Sequence, residues 1–174
     1  MKLGTIILYR DIKFWFSWIQ RKITGMPYSH SSIYIGVNEL GRREEFEANW
    51  QVGTTTLNYR PVKMEAYELI GVSETKQILN ELINGFENKS YGWLQVLTFI
   101  RRWFFDLIGI DTRKWKVWLK GGVLCSELVW YYLIRVAFEM RWDDLLSYLE
   151  HWNPDCFHSG DIKTVIDKFP QYFR

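Results

Sequence analysis

Hydrophobic positions along the chain change their period several times, and each change marks an element. From Gly4 to Tyr9 the residues are mostly apolar and β-branched, which predicts a short strand. Asp11 then precedes Ile12, Trp15, Phe16, Ile19 and Ile23. These share one helical face and predict an amphipathic helix that ends near Gly25. Pro27 holds Met26 out of the helical region, so residues 26–29 form a loop. Ile33, Ile35 and Val37 alternate, as in a strand with one buried face. Residues 38–41 read as a turn. Residues 43–50 return with Phe46 and Ala48 on one side and Glu45 and Glu47 on the other.

Residues 53–61 and 64–72 predict two further strands. A helix opens at Ser73 and Glu74 and runs to about Phe86, burying Ile78, Leu79, Leu82 and Ile83. After a loop at 87–90, Tyr91 begins an aromatic helical region that reaches Leu107, and 108–121 reads as a polar surface insertion with scattered Trp. The pair Gly121-Gly122 ends it. Leu128, Val129, Tyr132, Leu133, Val136 and Ala137 then recur at helical spacing, which predicts a helix from Cys125 to about Phe138. A short helix starts at Asp143 or Asp144, a turn follows at 153–155, and a second turn at 159–161 caps the segment from Ile162. Nothing in the pattern splits the chain. The expectation is one domain, 1–174, with an aromatic-rich helical insertion at about 100–120.

Composition narrows the function classes. The 174 residues are 48% hydrophobic and 24% charged, with a net charge of +2, which fits a globular domain without a broad basic face for nucleic acid. Two cysteines do not build a disulfide framework. The N-terminal apolar run stops at Arg10 and has no small-residue cleavage site. Arg101, Arg102 and Asp106 interrupt one long apolar stretch, and Glu127 and Arg135 the other, so neither reaches the roughly 18 apolar residues of a spanning helix. These features predict a cytoplasmic protein with reduced thiols. Aromatic residues make up 18% of the chain, with ten Trp, so some rings must lie on the surface or in a groove.

Three side chains then stand out. Cys125 falls at a helix N-terminus, where unpaired N–H groups and the helix dipole favour a thiolate. A lone cysteine on an apolar helix is ordinarily core filler, so the question is whether a base faces it. Of the three histidines, His30 is the one in an ordered apolar context, on the strand face away from Ile33 and Ile35. Pairing across a centre near residues 39–40 places Glu47 opposite Ser32, the next position after His30 on that face. A carboxylate there can orient the imidazole of a Cys–His pair. Alternating acids such as Glu45 and Glu47 ordinarily mark a solvated face. Glu127, in the first helical turn, complements the dipole and is expected to point away from the thiol. Cys156 and His158 form a C-x-H pair, too few ligands for a zinc site, so no metal is expected. Arg101, Arg102, Trp103, Phe104 and Phe105 read either as a buried helix with snorkelling arginines or as a peripheral membrane contact.

The order of these motifs resembles the circularly permuted papain-like amidases, the NlpC-type cysteine hydrolases in which His precedes Cys, related to lecithin:retinol acyltransferase-like proteins. The Leu3-Gly4-Thr5-Ile6-Ile7 strand stands where the family has Gly-Asp-hydrophobic, with Thr5 departing from the preferred Asp. Tyr28-Ser29-His30 followed by Ile33-Tyr34-Ile35-Gly36 is similar to its Tyr-Ser-His and apolar-Gly strand. Phe46-Glu47-Ala48 with Gly53-Thr54, then Tyr91-Gly92-Trp93, then Leu124-Cys125-Ser126-Glu127-Leu128-Val129 resemble its Glu-Ala…Gly, Tyr-Gly and Cys-Ser-Glu-Leu segments. Asn153-Pro154-Asp155 and Gly160-Asp161-Ile162 resemble its closing turns.

The resemblance implies an α+β, permuted papain-like fold, an antiparallel sheet packed against helices with the cysteine at a helix N-terminus. It implies a cysteine peptidase or amidase working through a thioacyl-enzyme without metal or organic cofactor. Cys125 would be the nucleophile, His30 the base, and Glu47 the orienting acid with Glu45 as the alternative. The Cys125 N–H and the Tyr28 hydroxyl would be the oxyanion donors. The substrates it implies are peptides, isopeptides or peptidoglycan fragments. The aromatic-basic stretch favours a lipid-directed thioesterase or acyltransferase as the alternative, and an inactive binding module of the same fold is a third expectation.

Overall fold

A computed structural model describes residues 1–10, 18, 21–22, 25–49, 51–57, 63–73, 75–92, 101, 104–105, 107–114 and 122–174. Five antiparallel strands, β1 (Ile6–Tyr9), β2 (His30–Val37), β3 (Arg43–Ala48), β4 (Val52–Leu57) and β5 (Met64–Tyr67), form one sheet in the order β4-β3-β2-β1-β5. The helices described are α1 (Thr75–Phe86), α2 (Cys125–Met140), α3 (Asp143–Glu150) and α4 (Ser159–Lys168). The architecture is α+β.

The strand pattern decides the two faces of the sheet. Ile6 and Leu8 of β1, Ile33 of β2, and Phe46 and Ala48 of β3 point toward α2. There they pack with Leu128, Val129, Tyr132, Leu133 and Val136. Burying each such Leu or Val contributes about 1.5–3 kcal/mol, so this row against α2 is the main source of cohesion. The opposite row is polar and equally buried: Tyr9, His30, Ser32, Glu45 and Glu47 are all at most 5% exposed. Glu45 and Glu47 are therefore not the solvated face that their alternation suggests. Each has a buried partner that its sequence pattern does not reveal.

Several boundaries differ from the pattern. The stretch predicted as a strand to residue 72 leaves β1 after Tyr67. Glu68 and Ile70 instead hydrogen-bond the C-terminal residues Arg174 and Tyr172. Tyr91 does not open a helix; it forms a parallel bridge with Val123. Residues 159–161 are the first turn of α4 rather than a separate turn, because the His158 Nδ1 accepts from the N–H groups of Gly160 and Asp161. The helix expected over 11–25 is helical at Trp18, Arg21 and Lys22, and the rest of it lies outside the described residues. The same holds for most of the 100–120 insertion, which is helical at Arg101, Phe104, Phe105 and Leu107. Trp103 and Arg102 fall outside the described residues.

The loop before α2 is held from one side. Val123 N–H donates to Ser90 O at 2.9 Å, and Gly92 N–H to Val123 O at 3.1 Å. A Cβ on Gly122 would lie 2.3 Å from Ser90 O and 2.6 Å from the Tyr91 carbonyl carbon, so only glycine lets these segments approach. This clasp fixes where the first residue of α2 points.

Candidate active site

Cys125 is the first residue of α2, and its N–H belongs to the four at a helix start that have no intrahelical acceptor. Leu124 precedes it in an extended conformation. The side chain of Glu127 turns back to accept from the Leu124 N–H at 3.2 Å, as expected for an acid in the first turn. Ser126 donates its hydroxyl to the Phe157 carbonyl at 2.5 Å, which ties the helix start to the 153–158 segment. Cys125 is 3% exposed and belongs to the same buried cluster as the core row.

His30 is the first residue of β2. Its Nε2 lies 2.6 Å from Glu47 Oε2, with both side chains buried. The register that pairs Ile33 with Phe46 puts Glu47 across from Ser32, one row position from His30. Asn49 Nδ2 donates to the other Glu47 oxygen at 2.6 Å. With Nε2 committed to Glu47, Nδ1 is the ring nitrogen left for the Cys125 side chain, which is near enough to shift the imidazole.

The charges follow from that arrangement. Burial opposes a charged imidazole, but the Cys125 thiolate and the Glu47 carboxylate outweigh it and raise His30 to about 10. Burial pushes the Cys125 thiol up, and the His30 imidazolium outweighs it, helped by the backbone N–H and hydroxyl of Ser31. The net shift is downward. Both shifts favour the charged forms, so the arrangement draws the pair toward thiolate and imidazolium, with the Glu47 carboxylate on the other side of the ring.

The other expected site residues are engaged elsewhere. Glu45 is not the acid on His30. It accepts from the Tyr9 hydroxyl at 2.5 Å and from Ser32, and it pairs with Arg43 Nε at 2.8 Å. The Tyr28 hydroxyl donates to Glu65 Oε2 at 2.7 Å and accepts from Arg10 Nη2 at 3.3 Å. It is tied to the β5 edge of the sheet, not to the sulfur. His158 is a helix cap, and Cys156 is buried in a turn beside it. Among the described residues no cluster of three His, Cys, Asp or Glu could hold a metal ion.

The sequence reading passed over three contributors. Ser31 is fully buried, and its hydroxyl completes no hydrogen bond among the described residues. It lies close enough to the sulfur to favour the thiolate. A serine in an apolar row between Leu8 and Ile33 is the signal that could have found it. Asn49 sits two residues past Glu47, on the same strand face. Tyr91 entered only as part of a motif. Burial and then the negative charge of Cys125 raise its phenol, so the Tyr91 side chain feels the Cys125 charge.

Phe86, Lys89, Val123, Glu127 and Tyr131 line a pocket of about 570 Å³. At about 100° per residue, Glu127 lies roughly 200° round the helix from Cys125, so this pocket flanks α2 rather than receiving the sulfur.

No protein-family model matches the chain, and no curated protein matches it.

Proposed function

We propose that the protein is a cysteine hydrolase of permuted papain-like fold that cleaves an amide bond through a thioacyl-enzyme. The observation that carries this reading is the buried line Cys125–His30–Glu47, with His30 Nε2 on Glu47 at 2.6 Å and the thiol at the first position of α2. A structural cysteine has no use for a buried imidazolium, and a buried carboxylate on the far side of that ring is costly unless the ring carries charge.

The chemistry then runs in two halves. The Cys125 thiolate forms a C–S bond to the substrate carbonyl carbon, and the carbonyl π pair moves onto oxygen. The Cys125 N–H, at the positive end of α2, is placed to receive that oxyanion. When the tetrahedral adduct collapses, the C–N bond breaks and His30 gives the Nδ1 proton to the departing amine. Water then attacks the thioester as His30 takes its proton, and the acid leaves as the thiolate and imidazolium are restored. Glu47 keeps Nε2 protonated throughout, so Nδ1 is always the nitrogen that exchanges the proton.

The test is alkylation by iodoacetamide, read by intact mass and peptide mapping. Cys125 labels at least ten-fold faster than Cys156 near neutral pH, and His30→Ala removes the difference. Equal, slow labelling of both cysteines excludes the nucleophile assignment. Release of amines from a peptide and muropeptide library then identifies the bond.

A further inference from the structure

Positive charge is unevenly spread along the chain. Residues 99–120 hold Arg101, Arg102, Arg113, Lys114, Lys116 and Lys120 against Asp106 and Asp111, a net +4, whereas the whole chain carries +2. The remainder is therefore net negative, at −2. The same stretch exposes apolar side chains. Phe104 is 55% exposed, Leu107 65%, Ile108 59% and Ile110 41%. Phe104 and Leu107 are helical and three residues apart, and Ile108 follows in the turn that closes the helix, so neighbouring apolar side chains point outward. Single exposed apolar side chains are ordinary, but an outward-facing group of them is not.

We propose that the exposed Phe104, Leu107, Ile108 and Ile110 form a membrane-contact surface that seats the protein on an anionic lipid bilayer. These side chains would enter the boundary between headgroups and acyl chains, and Arg101 and Lys114 would meet the lipid phosphates. The local charge arrangement fits that occupant. Asp111 is neutralised by Arg113 at 2.6 Å, while the Lys114 side chain stands exposed beside it. A neutral or acidic protein partner would account for the charge or for the apolar face. An anionic bilayer accounts for both, and the 99–120 sequence also holds three of the chain's ten Trp.

The surface is also tied to the end of the molecule that carries the thiol. Thr112 is buried, Arg113 O accepts from the Asn153 N–H at 2.7 Å, and the Arg113 guanidinium lies 5.7 Å from the Trp152 ring centroid. The 153–158 segment is the one whose Phe157 carbonyl holds Ser126, next to Cys125. Membrane docking would thus set the start of α2 near the bilayer. The docking itself does not depend on the chemistry assigned to Cys125.

The experiment is co-sedimentation of the full chain with vesicles of phosphatidylcholine alone or with about 30% phosphatidylglycerol. The expected result is binding at least about ten-fold tighter to the anionic vesicles, weakened by high salt. Replacing Phe104, Leu107 and Ile108 together by Ser is expected to lower it by ten-fold or more while the Cys125 alkylation rate stays as in wild type. Brominated phosphatidylglycerol needs no variant, and it should quench the wild-type tryptophan emission. Absence of vesicle binding, wild-type binding by the triple variant, or vesicle binding without quenching overturns the proposal. So does a vesicle interaction that duplex DNA displaces and the triple variant retains, which would mark a charge-only surface.

Discussion

His30 Nε2 lies 2.6 Å from Glu47 Oε2, and the second Glu47 oxygen is held by Asn49 Nδ2 at the same distance. Both carboxylate oxygens are therefore directed, and Glu47 cannot turn away from the imidazole without breaking a contact. Its neighbour Glu45, two positions back on the same buried row, has its own partners in Tyr9, Ser32 and Arg43. The two acids are alike in burial and face, and their partners separate their roles.

Substituting the two acids separately should divide function from stability. Glu47→Gln removes a charge that holds His30 protonated, so thiolate formation becomes harder. Alkylation of Cys125 at pH 6 is expected to fall about ten-fold, the equivalent of one pKa unit. Glu45→Gln leaves that rate within about two-fold but strands Arg43, at a cost of about 1–3 kcal/mol read as a lower melting temperature. The reverse pattern, with Glu45→Gln slowing alkylation, would exchange the roles of the two residues.

Ser31 offers a sharper probe, because its hydroxyl is buried and completes no hydrogen bond beside a sulfur that gains charge. Ser31→Ala should raise the Cys125 pKa, so alkylation falls about five- to ten-fold at pH 6 and hardly changes at pH 9.5. Ser31→Thr, which keeps the hydroxyl, should restore the low-pH rate. Superimposable pH–rate profiles for the wild-type and Ala proteins would show that the hydroxyl only fills space.

How much of this was legible depended on whether the cause was local. The hairpin of β2 and β3 was readable, since alternation and the 38–41 turn set the register that brings Glu47 near His30. The helix after Cys125 was readable from one apolar stripe. Neither source reveals what covers the other face of a strand, so the burial of Glu45 and Glu47 could not be read from a pattern that usually means solvent. The ends of elements were hidden for the same reason. Glu68 stops pairing with β1 because Arg174 takes its backbone groups, a contact between residues 106 apart in sequence. His158 looked like half a metal site because capping by an imidazole has no distinct spacing. Tyr28 looked available until its hydroxyl was seen to belong to Glu65.

The Gly122 clasp predicts a loss of both stability and reactivity from one added methyl group. Gly122→Ala would put a Cβ 2.3 Å from Ser90 O, which backbone atoms cannot yield without parting Val123 from Ser90. The expected cost is about 2–4 kcal/mol, or a melting temperature lower by roughly 4–16 °C for a chain of this size. Cys125 alkylation should slow as well, because the displaced loop feeds the first residue of α2. A variant that melts like wild type would mean that the two segments part freely.

Alkylation and turnover should separate at high pH. Cys125 has a lowered pKa, so its thiolate persists to lower pH than that of an ordinary cysteine, and alkylation should reach its plateau earlier as pH rises and stay level above it. Amide cleavage by the proposed mechanism also needs the imidazolium to protonate the leaving amine. His30 is raised to about 10, so turnover should hold through neutral pH and fall as pH rises through that value. The thiolate is the largest of the effects that raise His30, so replacing it changes the ring in a defined direction. In Cys125→Ser the imidazole keeps Glu47 but loses the sulfur charge, and its titration should move to lower pH. NMR of the His30 ring protons reads this directly: the wild-type ring stays protonated well above the ordinary imidazole range, and the Ser variant releases its proton earlier. An unchanged titration in the variant would mean that the thiol is neutral beside the imidazole, and that Glu47 alone sets the charge of His30.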